Sequence, residues 1–100
     1  MAEKIVVYWR DIPAQVIVKA GRKSAKRQLA ERFEQAIDRA AMRARLTGTD
    51  AYLEQWRRGD PVPCGDDLEA EAAAAAEALE AAYTPERLRE LVANGGSAAA

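Results

Sequence analysis

Four cations fall within six consecutive positions, Arg22, Lys23, Lys26 and Arg27, with Ser24 among them. Ser24 reads as the N-cap of a long helix, and positive charge opposes the field at a helix start. Cations held there would converge with the hydroxyl and free backbone N–H groups on an anion: phosphate, an RNA backbone or an acidic protein surface. A solvated basic face is the equally weighted alternative. The second candidate is the Arg10-Asp11-Ile12-Pro13 turn, whose charged side chains would project from a hairpin tip. A plain turn is slightly favoured there. Tyr8 and Trp9 could stack a base, although strand aromatics more often belong to a core.

Other chemistries find little to work with. The chain has no His and one Cys, so a conventional zinc or iron–sulfur site cannot form within it. Asp60, Asp66 and Asp67 lack the alternation of a calcium loop, and helix capping accounts better for two of them. Cys64 has no imidazole to activate it and reads as structural, although the following helix start could lower its pKa. No glycine-rich phosphate loop is present. The expectation is a protein that is not an enzyme, with no metal and no cofactor. Its contact surface would draw on Arg10 and Asp11 and on Arg22, Lys23, Ser24, Lys26 and Arg27.

The elements that must position these residues can be read in chain order. Ile5–Trp9 and Ala14–Lys19 are β-branched or aromatic runs broken by a proline turn, a β-hairpin. Such a hairpin alone is marginal in water and needs helices or a further strand. Leu29, Phe33, Ile37, Ala40 and Ala44 recur at helical spacing, so a long amphipathic helix is predicted over 25–46, ended by Gly48. Asp50 opens a short helix carrying Tyr52, Leu53 and Trp56, and residues 61–65 form a stiff connector. Asp66-Asp67-Leu68-Glu69 resembles a capping box before an alanine-rich helix. Thr84-Pro85-Glu86 starts the last one, with Leu88, Leu91 and Val92 as its apolar face. The fold class is therefore α+β: an N-terminal hairpin, the long helix and three further helices. Residues 1–94 form one domain, and 95–100 a disordered tail.

Composition limits the partners. One hundred residues support a single, thin core. Through Arg58 there are thirteen Lys/Arg against seven Asp/Glu, a balance of +6; beyond it two stand against nine, a balance of −7. Such bipolarity points to an electrostatic partner or to docking of one half on the other. A single cysteine suits a reducing compartment, and no run is apolar and long enough to span a bilayer. A cytoplasmic protein without a membrane partner is expected.

The run Tyr8-Trp9-Arg10-Asp11-Ile12-Pro13-Ala14-Gln15-Val16-Ile17-Val18-Lys19, with Lys26-Arg27 and Phe33-Glu34-Gln35-Ala36-Ile37-Asp38 after it, resembles a bacterial domain family labelled virulence factor. That family includes small stand-alone alphaproteobacterial proteins and a similar domain in conserved virulence factor C. The resemblance is strongest over 5–56 and continues through Pro63-Cys64-Gly65-Asp66-Asp67. It carries over no catalytic residues. It implies an accessory role beside folate-linked one-carbon and methyl-transfer enzymes.

The leading expectation is an accessory or adaptor protein that binds another protein, such as a one-carbon or methyl-transfer enzyme. The same features allow a homodimer through the hairpin or the alanine-rich helix. Nucleic-acid or phosphate binding at the basic cluster is the less favoured alternative. A third is an accessory subunit in one-carbon metabolism, with the chemistry left to its partners.

Overall fold

The computed structural model describes residues 2–46 and 50–97. Its architecture is α+β, an antiparallel sheet with four helices. Strands β1 (Ala2–Trp9) and β2 (Ile12–Ala20) form the expected hairpin, pairing Val6 with Val16 and Ile5 with Ile17. The tight turn is Arg10-Asp11, with Arg10 at φ 53°. Beside it the register slips: Val7 faces Gln15 and Tyr8 faces Pro13, so Ala14 is the extra residue of a bulge. Pro13 has no N–H to offer an interior ladder, and a bulge is where a sheet tolerates that loss.

The chain then departs from its predicted course. Residues Lys23–Gln28 form a third strand, β3, along the free side of β2, and no helix begins at Ser24. Lys-Ser-Ala-Lys-Arg-Gln has helix-compatible composition, but pairing along six residues of β2 decides its state. Helix α1 is correspondingly shorter, Glu31–Arg43. Its N-cap is Ala30, which offers no side-chain acceptor; the Ala30 N–H instead donates to the Glu80 carboxylate at 3.0 Å. Leu29, expected inside the helix, is buried just before it. The predicted stop at Gly48 lies outside the described residues.

Helix α2 (Asp50–Glu54) is short, and the chain returns to the sheet as β4 (Trp56–Arg58) and β5 (Val62–Cys64). Both pair with β1: β4 with Val7–Trp9, β5 with Ala2–Lys4. The predicted connector is thus partly sheet, with Pro63 tolerated on an edge strand. The sheet order is β3-β2-β1, then β4 and β5 sharing the far edge.

Helices α3 (Leu68–Ala82) and α4 (Pro85–Ala93) match their sequence signals. The Asp67 side chain accepts from the Ala70 N–H and the Thr84 hydroxyl from the Arg87 N–H, each at 3.2 Å. Pro85 occupies the first turn, where its missing N–H costs nothing. Ala72 and Ala76 are buried in the same core as Val16, Val18 and Ala25, so the alanine run brings the α3 backbone close to the sheet. The acidic helix lies over the basic strand, and buried alanines make the contact. At the hairpin end, Trp9 and Ile12 join Phe33 and Ile37 of α1 and Leu88 and Leu91 of α4. Strand alternation turns the buried Ile5–Ile17 pair to the opposite face, outside that core.

Residues 95–100 were expected to be loose. Gly95 and Gly96 are instead buried, and the Gly96 carbonyl accepts from the Asp11 N–H at 2.9 Å. Both have positive φ, 71° and 100°. Ala98–Ala100 lie outside the described residues.

Candidate binding surface

The expected contact residues fall into two places: Arg10 and Asp11 form the turn before β2, whereas the basic run starts at the turn after β2 and runs back beside it, bringing Arg27 opposite Val16 in mid-strand. Arg22, Lys23, Ser24, Lys26 and Arg27 occupy the β2–β3 turn and β3, and all are exposed. Alternation divides them. Arg27 opposite Val16 and Lys23 opposite Ala20 share the α3 side with buried Ala25. Ser24 opposite Lys19 and Lys26 opposite Ile17 lie on the other side. The anion site expected from a helix start therefore does not form, because there is no helix terminus to supply N–H groups. What forms is a basic sheet edge. Beyond β3 no strand follows among the described residues, so its outer N–H and C=O groups are unpaired within the sheet.

Arg10 and Asp11 do different work. The Arg10 guanidinium donates to Gln55 Oε1 at 3.1 Å and to the Gly95 carbonyl at 3.0 Å, and it lies 5.3 Å from the Trp9 ring. The Arg10 N–H donates to the Gln55 carbonyl at 3.0 Å. Arg10 thus clamps the hairpin tip to segments far along the chain. Asp11 pairs with Arg57 at 3.2 Å, and Arg57 Nε donates to the Arg10 carbonyl.

That pair borders a hollow of about 520 Å³. Two tyrosines line it, each with an arginine over its ring: Arg57 at 4.5 Å from the Tyr8 centroid and Arg87 at 4.1 Å from that of Tyr83. Burial pushes the Tyr8 phenol above the usual tyrosine range. Tyr83 and Asp11 push the same way, against Arg57. The shift favours the neutral, hydrogen-bonding phenol over the phenolate. Asp60 and Glu90 stand exposed on the rim. The lining can hold charge and donate hydrogen bonds, but it contains no thiol, imidazole or aliphatic hydroxyl. No local pattern announces this grouping, because Tyr8 and Arg57 come from the sheet and Tyr83 and Arg87 from the far end of the chain. Only the fold joins them.

Cys64 is half-buried in β5, opposite Ala2. Among the described residues no three His, Cys, Asp or Glu gather as metal ligands. No helix of the described residues is long and apolar enough to cross a membrane. Comparison with curated proteins and with solved structures gives no match. A family model described as Virulence factor matches residues 7–92, from the middle of β1 to near the end of α4. That match takes in the hairpin turn, β2, the basic edge, Tyr8 and Tyr83, and all but the last residue of the helices, and it covers most of the chain, so the chain belongs to the Virulence factor family.

Proposed function

We propose that the protein is a non-catalytic binding module that docks an acidic, extended segment of a partner protein on the outer edge of β3. The observation that carries this reading is the edge itself: six residues, of which only Ala25 is buried, with Lys23, Lys26 and Arg27 along it and no strand beyond among the described residues. About half the residues of an edge strand point N–H and C=O outward, so a guest strand gains main-chain hydrogen bonds. Each nets about 0.5–1.5 kcal/mol. The cations supply selection. They discourage pairing between two copies of this edge and favour a carboxylate-bearing guest. Splitting the basic residues between two sheet faces suits a strand that places alternate acids on both sides. It suits a nucleic-acid backbone less, because that needs its cations on one track. The unpaired Cys64 fits a reducing, cytoplasmic setting.

The test is affinity capture from cells that express the protein naturally, with nuclease added, comparing wild type with a Lys23→Glu/Lys26→Glu/Arg27→Glu variant. We expect a protein at near-equal stoichiometry with wild type, and at least about tenfold less with the variant. Recovery of nucleic acid in place of a protein, or equal capture by the variant, would refute the reading.

A further inference from the structure

We propose that the groove between α1 and α4 is a second docking site, and that it takes an acidic amphipathic helix of a partner protein. The inference rests on the protein-binding reading but not on the β3 edge. Arg43, at the end of α1, donates to the Ala93 carbonyl at the end of α4. Arg32, at the start of α1, donates to the Glu80 carbonyl in the last turn of α3, from which the chain turns into α4. The two helices therefore run side by side in the same direction. Between them lies an open hollow of about 340 Å³, floored in part by Leu88 and Val92. Arg32, Arg39 and Arg43 stand on one bank and Arg89 on the other, and no carboxylate lines it. In a chain with slightly more acids than bases, four guanidinium groups around an apolar floor are a marked local excess.

The arginines are differently engaged. Arg32 lies over the Phe33 ring at 4.9 Å, and its buried Nε has no acceptor. Arg43 is held by its bond to Ala93. Arg39 is exposed, and Arg89 has only a loose, exposed pairing with Glu86 at 3.8 Å. Two fixed cations and two free ones thus flank a trough about 16 Å long, the eleven-residue rise from Arg32 to Arg43. Three turns of a guest helix fill that length, with apolar side chains on the floor and acids toward both banks. A fatty acid fits less well, because its single carboxylate needs the cations gathered at one end. A second copy using the same groove would oppose arginine to arginine.

The probe is a fluorescent peptide of about sixteen residues, with leucines at helical spacing and glutamates on both flanks. A scrambled peptide of equal composition and decanoate serve as comparisons. Binding is measured by anisotropy to wild type, to Arg39→Glu/Arg89→Glu and to Lys23→Glu/Lys26→Glu/Arg27→Glu. Circular dichroism checks that each variant is folded. We expect the helical peptide to bind wild type and the β3 variant alike, and to bind the groove variant at least tenfold more weakly. The proposal is overturned if the scrambled peptide binds equally well, if the groove variant keeps full affinity, or if decanoate binds and the peptide does not. Loss of peptide binding in the β3 variant alone would also overturn it, by moving the site to the sheet edge.

Discussion

The two turns that bound β2 use the same backbone device for opposite ends. Arg10 at one end and Gly21 at the other both adopt a positive φ, 53° and 60°. Around Arg10 the chain closes in: Gln55, Arg57, Gly95 and Gly96 all bond to the turn. Around Gly21 a Cβ would meet nothing within 4 Å. Charge alone does not separate them, since both ends are rich in arginine. What separates them is whether later parts of the chain return to that end. The hairpin tip is finished as core support, whereas the β2–β3 turn leads into a strand of exposed cations whose outer edge is unpaired along β2 as far as Gln15. The proposed binding role belongs to the open edge.

The contrast can be broken most forcefully at glycine. A Cβ on Gly96 would stand 2.6 Å from Trp9 Cζ3, at a φ of 100° that L side chains rarely adopt. Trp9 is fully buried and cannot yield, and its indole N–H is fixed to the Tyr52 carbonyl at 3.0 Å. Gly96→Ala should therefore cost about 3 kcal/mol. Gly21→Ala meets open space and should cost about 1 kcal/mol, the left-handed backbone cost alone. Urea unfolding of the two variants measures the difference. Equal losses would mean that the clamp at the hairpin tip is not what holds that end.

A smaller effect should appear in alkaline solution. Burial raises the Tyr8 phenol pKa above its unfolded value of 10.0, and does the same at Tyr52. Above that unfolded value the unfolded chain releases the phenol protons first. Stability is then complete below it and falls as the pH rises through the folded values. Tyr8→Phe should flatten that fall in part, leaving the share due to Tyr52. Urea midpoints between about pH 9 and 11 would show it. An unchanged slope in Tyr8→Phe would place Tyr8 in open solvent.

Much of this fold was legible where local chemistry decides the state. The hairpin came from its β-branched runs, and α3 and α4 came from Asp67, Thr84 and Pro85 at their starts. Strand β3 was not legible, because nothing in Lys23–Gln28 prefers a strand; only β2 alongside makes it one. Strands β4 and β5 are three residues each and exist through β1. The same limit governs the sites. The basic run was visible as sequence, but its backbone state was not. The hollow at Tyr8 and Tyr83 and the arginine banks of α1 and α4 join residues some fifty or more positions apart, which no local pattern announces.

The central claim is that the outer edge of β3 is where a partner binds. Amide hydrogen exchange on the captured complex, compared with the free protein, tests it most directly. The amides of Lys23–Gln28 that exchange freely alone should become protected in the complex, with the Arg10-Asp11 turn unchanged. Protection that appears elsewhere while β3 keeps exchanging as in the free protein would contradict it.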